Sequence, residues 1–407
     1  MTVSPLAPAR FPDLASVPGV GVSVFEAGLQ YHNRADLMLA RLVEGTTVAG
    51  TLTQSKCPSA PVEWDRQILG RGSARALVCN AGNANAFTGE RGKADAEATA
   101  GIVSALVGCD QRDVYLCSTG VIGETLDRPA LEQALPQLVS QPESTWRDAA
   151  GAIMTTDTYP KGAMSRIDGS DGVIVGIAKG SGMIAPDMAT MLSFVFTDLA
   201  VTPQALQQAL SQSVDNSYNR ITVDSDTSTS DTVLLFATGQ TRIDGQIITG
   251  SESPGWGQFV AALDEVNLNL AHQIVRDGEG ATKFVEVHVS GAENEQAAIN
   301  IARSIAESPL VKTCLGAQDP NWGRIVMGVG KAGEMANRDR LTIHIGDELV
   351  AEHGWVAESY VEARATSVME QSEFKISVDV GVGTGAASVW TCDLTHRYIE
   401  INADYRS

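Results

Sequence analysis

The sequence has few of the residues and patterns that mark several large classes of protein. Its six cysteines include no CxxC pair, and its six histidines include no HxxxH pair. This spacing matches neither the common zinc motifs nor a disulfide framework, so we expect reduced, mostly buried thiols and no metal site. No run of about 18 uncharged apolar residues occurs, which argues against a membrane-spanning helix.

Positive charge is also scarce, with 29 Lys and Arg residues against 49 Asp and Glu residues and a formal net charge of −20. A strongly acidic surface repels phosphate backbones and anionic lipids, so neither nucleic acid nor a membrane is an expected partner. The opening MTVSPLAPARFPDL has no basic stretch followed by an apolar core. We therefore expect no secretory signal and a cytoplasmic location.

The hydrophobic content of 43% is that of an ordinary folded protein, and 407 residues are enough for two or three subdomains. Predicted strands alternate with predicted helices throughout, which indicates α/β or α+β layers. The predicted strands include 20–24, 47–52, 76–79, 114–118, 173–177, 191–196, 232–238, 284–289 and 397–402. The predicted helices include 94–107, 129–139, 203–214, 257–277 and 292–307.

The most distinctive segment is 179–198, KGSGMIAPDMATMLSFVFTD, which places Thr190 between a glycine-rich turn and an apolar run. A threonine in such a position can attack the carbonyl of the preceding Ala189, and hydrolysis of the resulting ester cuts the chain. The new α-amino group can then act as the base for the threonine's own hydroxyl. The local pattern alone nevertheless favours a threonine that simply begins a strand, as β-branched residues commonly do.

Other polar segments have two local interpretations each. STGVIG at 118–123 can present an amide N–H and a hydroxyl to an oxyanion, or it is an ordinary glycine turn after a strand. Lys179 either binds a substrate carboxylate or lies at the surface. DGEG at 277–280 suits a ligand-binding turn or a helix C-cap. The acidic, hydroxyl-rich segment 220–231 lacks EF-hand spacing, so we expect a hydrogen-bonded turn rather than a cation site.

Eight motifs, in order along nearly the whole chain, resemble those of the ornithine acetyltransferase family of arginine biosynthesis. They are NAGNANA (80–86), STGVIG (118–123), TTDT (155–158), KGSGMIAPDMATML (179–192), NRITVDSDTST (219–229), RDGEGAT (276–282), DPNWGRI (319–325) and INADYRS (401–407). The KGSGMIAP–MATML block and the terminal NADYRS are too specific to agree by chance. The first 60 residues match the family pattern only loosely.

The resemblance implies a layered α/β sandwich of the self-processing, N-terminal-nucleophile type. It implies cleavage between Ala189 and Thr190, which gives an α chain of residues 1–189 and a β chain of residues 190–407. In that arrangement 190–285 completes the catalytic sandwich, and 286–400 forms a smaller C-terminal subdomain whose last strand returns to the active site. The family also suggests an α2β2 assembly.

The resemblance further implies a role for each matching residue. Thr190 takes the acetyl group of N-acetylornithine and passes it to glutamate, and Thr119 and Gly120 form the oxyanion hole. The implied substrate-binding residues are Thr156, Lys179, Thr190, Glu279, Asn402 and Ser407, the last standing where many members have threonine. No cofactor is implied.

Three questions stay open at the level of sequence. Enzymes that also accept acetyl-CoA as donor share these motifs with enzymes that only exchange acetyl groups. A self-processing aminopeptidase or amidase of related fold would use water in place of glutamate as acceptor. An unprocessed binding protein would keep one intact chain and have no turnover.

Overall fold

The computed structural model describes residues 2–185 and 191–403, so Ala189, Thr190 and Ser407 lie outside the described residues. The chain divides into two compact units, which we call the larger and the smaller unit. The larger unit comprises Ala9–Asn219 and Asp226–Ile274. The smaller unit comprises Met1–Pro8, Arg220–Ser225 and Val275–Ser407.

The larger unit contains two β-sheets. The four-stranded sheet has, in spatial order, β1 (Val20–Phe25), β2 (Leu37–Leu42), β4 (Ala76–Asn83) and β5 (Val114–Val121). The five-stranded sheet has, in spatial order, β3 (Thr47–Leu52), β10 (Thr232–Thr241), β8 (Leu192–Leu199), β7 (Val173–Lys179) and β6 (Lys161–Arg166). The helices of this unit are α1 (Ala60–Ile68), α2 (Gly89–Val107), α3 (Arg128–Ser140), α4 (Trp146–Ala152), α5 (Pro203–Asn216) and α6 (Trp256–Arg276), whose last two residues belong to the smaller unit.

Alternating side chains explain why these elements stack in four layers. In β2, Leu37 and Leu39 pack with apolar residues of α2 and α3, whereas Met38 and Ala40 pack toward the five-stranded sheet. Because both faces of the strand are covered, it is apolar at consecutive positions. Helices α5 and α6 cover the other face of the five-stranded sheet, where Leu270 of α6 lies against β7 and Gln207 of α5 accepts a hydrogen bond from β3. The larger unit is therefore an α/β/β/α sandwich.

The smaller unit contains a seven-stranded sheet with helices packed against it. Its strands, in spatial order, are β14 (Trp355–Val356), β13 (Glu348–Glu352), β12 (Thr342–Ile345), β15 (Glu373–Asp379), β11 (Phe284–Ala292), β16 (Gly385–Cys392) and β9 (Ile221–Thr222). Its helices are α7 (Glu295–Ala306), α8 (Pro309–Ala317), α9 (Trp322–Gly330), α10 (Glu362–Glu370) and α11 (His396–Ala403). Alternate residues of β11, Val285, Val287 and Val289, enter a core that includes Ile301 and Ile305 of α7.

The structure confirms the α/β class and corrects one predicted element outright. Residues 397–402, predicted as a strand that returns to the active site, lie in the helix α11. The run YIEIN alternates too briefly to distinguish a strand from a helix. The Thr395 hydroxyl accepts a hydrogen bond from the Arg397 N–H near the beginning of this helix, and Arg397 pairs with Glu400 three residues on. Both interactions favour the helical turn.

Two strands extend further than predicted. Residues 80–83, which follow the predicted strand 76–79, continue β4, and Thr119, Gly120 and Val121, which follow the predicted strand 114–118, continue β5. The polar and glycine residues at these strand ends conceal the continuation, because they are depleted in most strands. No helix within the described residues is long and apolar enough to cross a membrane.

Candidate active site

The end of strand β5 carries the predicted oxyanion residues. Gly120 is opposite Gly82 in the parallel pairing of β4 and β5, and its φ of 133° lies outside the region that other residues favour. A Cβ atom on Gly120 would lie 2.2 Å from the carbonyl carbon of Gly82. Glycine is therefore required at this position by both conformation and space. The preceding Thr119 is buried, with 1% of its surface exposed.

A buried lysine contacts the Thr119 hydroxyl. Lys179 is the last residue of β7 and is 2% exposed. Its Nζ donates to Thr119 Oγ1 at 3.2 Å and to Thr155 Oγ1 at 2.9 Å. Because the Thr119 oxygen accepts from an ammonium group, its own hydrogen is available to donate elsewhere. The pair thus combines a positive charge with a hydroxyl that can donate to an anionic oxygen.

Asp157 holds the chain segments on both sides of Lys179. Its Oδ1 accepts from Lys161 Nζ at 2.6 Å and from the Gly180 N–H at 2.6 Å, and its Oδ2 accepts from the Thr155 N–H at 3.0 Å. Burial opposes the charged form of Asp157, but Lys161 and Lys179 outweigh that effect and hold the pKa of the carboxyl below its ordinary value. We call Thr119, Thr155, Asp157, Lys161 and Lys179 the lysine cluster.

Thr156 lies next to this cluster in the chain. Its Oγ1 is 2.7 Å from the Oγ of Ser181, which is two residues beyond Lys179. Both side chains are buried. The segment 155–157 is therefore bonded at three successive residues to the chain around the end of β7: Thr155 to Lys179, Thr156 to Ser181, and Asp157 to Gly180.

The strand that follows residue 190 begins beside the lysine cluster. Lys179 is opposite Leu192 in the antiparallel pairing of β7 and β8. Residues opposite each other in such a pair have Cα atoms about 4.5–5.5 Å apart. Met191, the first described residue after the gap at 186–190, is buried. Met191 directly follows Thr190 in the chain.

Two contacts hold Met191 in place. The Met191 N–H donates to Oδ1 of Asp231 at 2.9 Å, and its carbonyl oxygen accepts from the Thr232 N–H at 3.1 Å. Asp231 is completely buried, and burial raises the pKa of its carboxyl well above the usual range. We call Met191, Asp231 and Thr232 the Met191 anchor.

The smaller unit contains two further predicted substrate-binding residues in mutual contact. The Asn402 Nδ2 donates to Oε2 of Glu279 at 2.6 Å, and Glu279 is 8% exposed. The Thr395 hydroxyl donates to the carbonyl oxygen of Gly280 at 2.8 Å, next to Glu279 in the chain. These contacts hold helix α11 on the DGEG turn, which is how a residue near the end of the chain reaches Glu279.

The predicted residues therefore fall into three groups. Thr119, Gly120, Thr156 and Lys179 lie close together at strand ends of the larger unit, whereas Glu279 and Asn402 form a contact within the smaller unit. Ala189, Thr190 and Ser407 are outside the described residues. Sequence reasoning assigned no role to Asp157 and treated Asp231 only as part of a polar turn. The available signal was the same in both: an acid among hydroxyl residues, in TTDT and in DSDTSTSD.

Among residues 2–185 and 191–403, no group of three His, Cys, Asp or Glu side chains is placed to hold a metal ion. The six cysteines are free, and four of them are buried. Within the acidic segment 220–231, Asp224 accepts from the Tyr398 hydroxyl, and Asp231 accepts from the Met191 N–H. Both partners lie far from the segment in the chain, at separations of 174 and 40 residues, so these contacts do not test the predicted turn.

Comparisons with known proteins identify the family. The model of the ArgJ family matches residues 21–407. The arginine biosynthesis bifunctional protein ArgJ of Agrobacterium fabrum (strain C58) is 53% identical over 412 residues, which cover 100% of each chain. The protein of the same name from Rhizobium meliloti (strain 1021) is also 53% identical, over 100% of this chain and 99% of its own.

A solved structure of a protein with the same name is also similar to this chain. The crystal structure of the arginine biosynthesis bifunctional protein ArgJ from Bacillus halodurans is similar with a TM-score of 0.50 and 42% identity. The match covers 53% of this chain and 99% of that one. Full-length identity above half the residues, together with the family match, confirms the resemblance predicted from the sequence motifs. The chain belongs to the ArgJ family of enzymes.

Proposed function

We propose that this enzyme transfers the acetyl group of N-acetylornithine to glutamate, giving ornithine and N-acetylglutamate. Membership of the ArgJ family, whose relatives are named bifunctional proteins of arginine biosynthesis, supports this activity. The observation that carries the proposal is the pairing of Lys179 with Leu192. It brings a buried ammonium group and the Thr119 hydroxyl to the strand β8, which begins two residues after Thr190.

The enzyme becomes active by cutting its own chain. The Thr190 hydroxyl attacks the carbonyl carbon of Ala189, the amide nitrogen is protonated and leaves, and an ester joins the two residues. Water then hydrolyses the ester, which leaves a carboxylate on Ala189 and a free α-amino group on Thr190. Residues 1–189 become the α chain and residues 190–407 the β chain, and two copies of each form an α2β2 assembly.

Acetyl transfer then proceeds in two steps. The free α-amino group of Thr190 accepts the proton of its own hydroxyl, whose oxygen attacks the acetyl carbonyl of N-acetylornithine. Ornithine leaves as the amine, and acetyl-Thr190 remains as an ester. The amino group of glutamate attacks that ester, which gives N-acetylglutamate and restores the hydroxyl. One amide bond is broken and another is formed, with an amine as leaving group and an amine as acceptor, so the exchange is close to thermoneutral and needs no energy source.

The described residues supply binding and charge stabilisation. The Thr119 hydroxyl and the Gly120 N–H stabilise the tetrahedral oxyanion, and one such donor is typically worth about 3–4 kcal/mol. Lys179 binds the α-carboxylate of the substrate, with Thr156 beside it. Glu279 binds an amino group, and Asn402 holds Glu279 through its 2.6 Å contact. Ser407 is the remaining substrate-binding residue.

We further propose that acetyl-CoA is a second acetyl donor, since the named relatives are bifunctional. The enzyme acts on small molecules in the cytoplasm and requires no cofactor. Formation of N-acetylglutamate from acetyl-CoA and glutamate, without N-acetylornithine, tests the second activity. Its absence would restrict the enzyme to acetyl exchange.

Replacing Thr190 tests the proposed nucleophile directly. The Thr190→Ala chain should stay intact in denaturing mass spectrometry and lose activity by about 10⁴-fold or more, because the attacking oxygen is gone. Thr190→Ser, which keeps a hydroxyl, is the matched control and should be cut. Substantial turnover by the alanine variant would refute the mechanism.

Omitting glutamate separates transfer from hydrolysis. With N-acetylornithine alone, the wild-type enzyme should release little acetate after one turnover, because its acceptor is an amine. Acetate release at the same rate with and without glutamate, and no N-acetylglutamate, would support the aminopeptidase or amidase alternative.

A further inference from the structure

We propose that Asp231 is a positioning residue that fixes the peptide unit following the cleavage point and so aligns the nucleophile. This inference rests on the proposed role of Thr190. Among the described residues, the Asp231 carboxyl is the partner of the Met191 N–H, at 2.9 Å, and the neighbouring Thr232 N–H bonds the Met191 carbonyl at 3.1 Å. Both polar groups of Met191 are thus tied to one short segment of chain.

That segment is itself rigidly held. Thr232, the first residue of β10, pairs with Leu52 of β3 on one side and with Leu192 of β8 on the other. The carbonyl oxygen of Asp231 accepts from the Thr53 N–H at 2.9 Å. Asp231 therefore sits at the beginning of a strand with neighbours on both sides, and its side chain adds one hydrogen bond beyond the end of the β8–β10 ladder.

Covalent geometry carries this restraint to the preceding residue. A peptide group is planar, so the direction of an N–H bond fixes the plane that also contains the Cα of the residue before it. The contact from Asp231 to the Met191 N–H therefore restrains the peptide plane at the Met191 nitrogen. Displacement of a nucleophile by about 1 Å can cost about 100-fold in rate, so a restraint one residue away is directly relevant to the reaction.

The surroundings of Asp231 act on the charge of its carboxyl as well as on its position. Burial raises the pKa of this carboxyl well above its usual range, although backbone hydrogen bonds and the charge of Lys179 act in the opposite direction. A carboxyl accepts a hydrogen bond in either protonation state, so the contact with the Met191 N–H does not require a charge. A side-chain amide oxygen in the same place can therefore replace it.

The test compares two residues of the same kind. Asp65 of α1 is also completely buried and accepts from the backbone N–H of Leu116 at 2.9 Å. Each aspartate is changed to Leu, which removes the acceptor, and to Asn, which keeps it; Asp231→Ala is made if the Leu variant does not fold. The full chain is produced by cell-free synthesis, and the rate of cleavage between Ala189 and Thr190 is followed by denaturing mass spectrometry alongside melting temperatures.

We expect Asp231→Leu to slow cleavage at least about tenfold and to lower kcat of the cleaved enzyme more than it raises KM. Asp231→Asn should cleave within about threefold of the wild type, whereas Asp65→Leu should lose stability but cleave at the wild-type rate. Equal rates for the two Leu variants would overturn the proposal, and so would an Asn variant as slow as Asp231→Leu. A wild-type chain that stays uncut would instead refute the proposed function, so the two failures are distinguishable.

Discussion

The lysine cluster and the Met191 anchor each contain a buried aspartate, yet the pKa values of the two carboxyls are shifted in opposite directions. Asp157 bonds the Lys161 ammonium at 2.6 Å, and with Lys179 nearby its pKa lies below the ordinary value. Asp231 accepts from a backbone N–H, and burial raises its pKa well above the ordinary value. The difference follows from the neighbouring cations rather than from depth, because both side chains are buried.

This contrast separates two tasks within the larger unit. The lysine cluster keeps charges in a buried place, which suits recognition of an anionic substrate group. The Met191 anchor holds the beginning of β8 by hydrogen bonds, with its carboxyl in a place where burial disfavours the charged form. The predictions below test whether charge matters in the first region and only hydrogen bonding matters in the second.

The largest effect is expected for Asp157→Asn. Removing the carboxylate takes the anionic partner from the buried ammonium group of Lys161. Breaking a buried ion pair in this way lowers the free energy of unfolding by about 3–5 kcal/mol. The free energy of unfolding, measured by denaturant titration on the Thr190→Ala background, should fall by that amount. The double variant with Lys161→Met removes both charges and should recover part of the loss. If Asp157→Asn is as stable as Asp231→Asn, charge does not distinguish the two regions.

The next effect is on catalysis, for Lys179→Met. The methionine keeps most of the side-chain length but removes the ammonium group that contacts Thr119 and Thr155. The proposed substrate carboxylate then has no ammonium partner in the buried site. Losing one partner of such a charge pair costs about 2–5 kcal/mol, so kcat/KM should fall at least about thirtyfold. Lys312→Met is the control, because Lys312 is also buried but contacts Thr391 and Cys392 in the smaller unit. Equal loss in both variants would contradict a substrate role for Lys179.

The smallest effect is a pH dependence of opposite sign in the two regions, measured on uncut Thr190→Ala chains. Asp157 has a lowered pKa when folded, so its contribution to stability is present above about pH 4 and is lost as the pH falls further. Asp231 has a raised pKa when folded, so its contribution to the stability of the parent chain is present below about pH 4 and falls as the pH rises above that.

The measurement is the unfolding midpoint of each Asn variant relative to its parent between about pH 3 and pH 8. As the pH rises through about 4, the unfolding midpoint of Asp157→Asn should fall relative to that of its parent. Over the same range the unfolding midpoint of Asp231→Asn should rise relative to that of its parent. Parallel curves for the two variants would mean that the two carboxyls share one protonation state.

The sequence predicts the regular core better than the site. Period-two and apolar runs identify strands such as β3, whose predicted and observed bounds agree at 47–52. Polar strand ends are missed, because Asn80 and Gly120 resemble loop residues until the pairing of β4 with β5 is known. The short run in α11 fits either period. The motif resemblance predicts site roles for Thr119 and Lys179, but only the structure shows the 3.2 Å hydrogen bond between them.

The role of Asp231 and the contact of Asp157 with Gly180 depend on residues far apart in the chain. Asp231 is 40 residues from Met191, and no periodicity links the two. An acid among hydroxyl residues indicates a hydrogen-bonded turn but not its partner. The ionisation of each carboxyl is equally inaccessible to sequence reasoning, since it depends on which cation the fold brings near.

The acetylation of Thr190 tests the proposed ping-pong mechanism most directly. The cleaved enzyme is incubated with N-acetylornithine alone, quenched in acid, and the peptide that begins at Thr190 is analysed by mass spectrometry. We predict one acetyl group on the threonine oxygen, lost when glutamate is added and recovered as N-acetylglutamate. If the Thr190 peptide stays unmodified while ornithine is released, Thr190 is not the acetyl carrier. An acetyl group that glutamate does not remove would equally rule out acetyl-Thr190 as the intermediate.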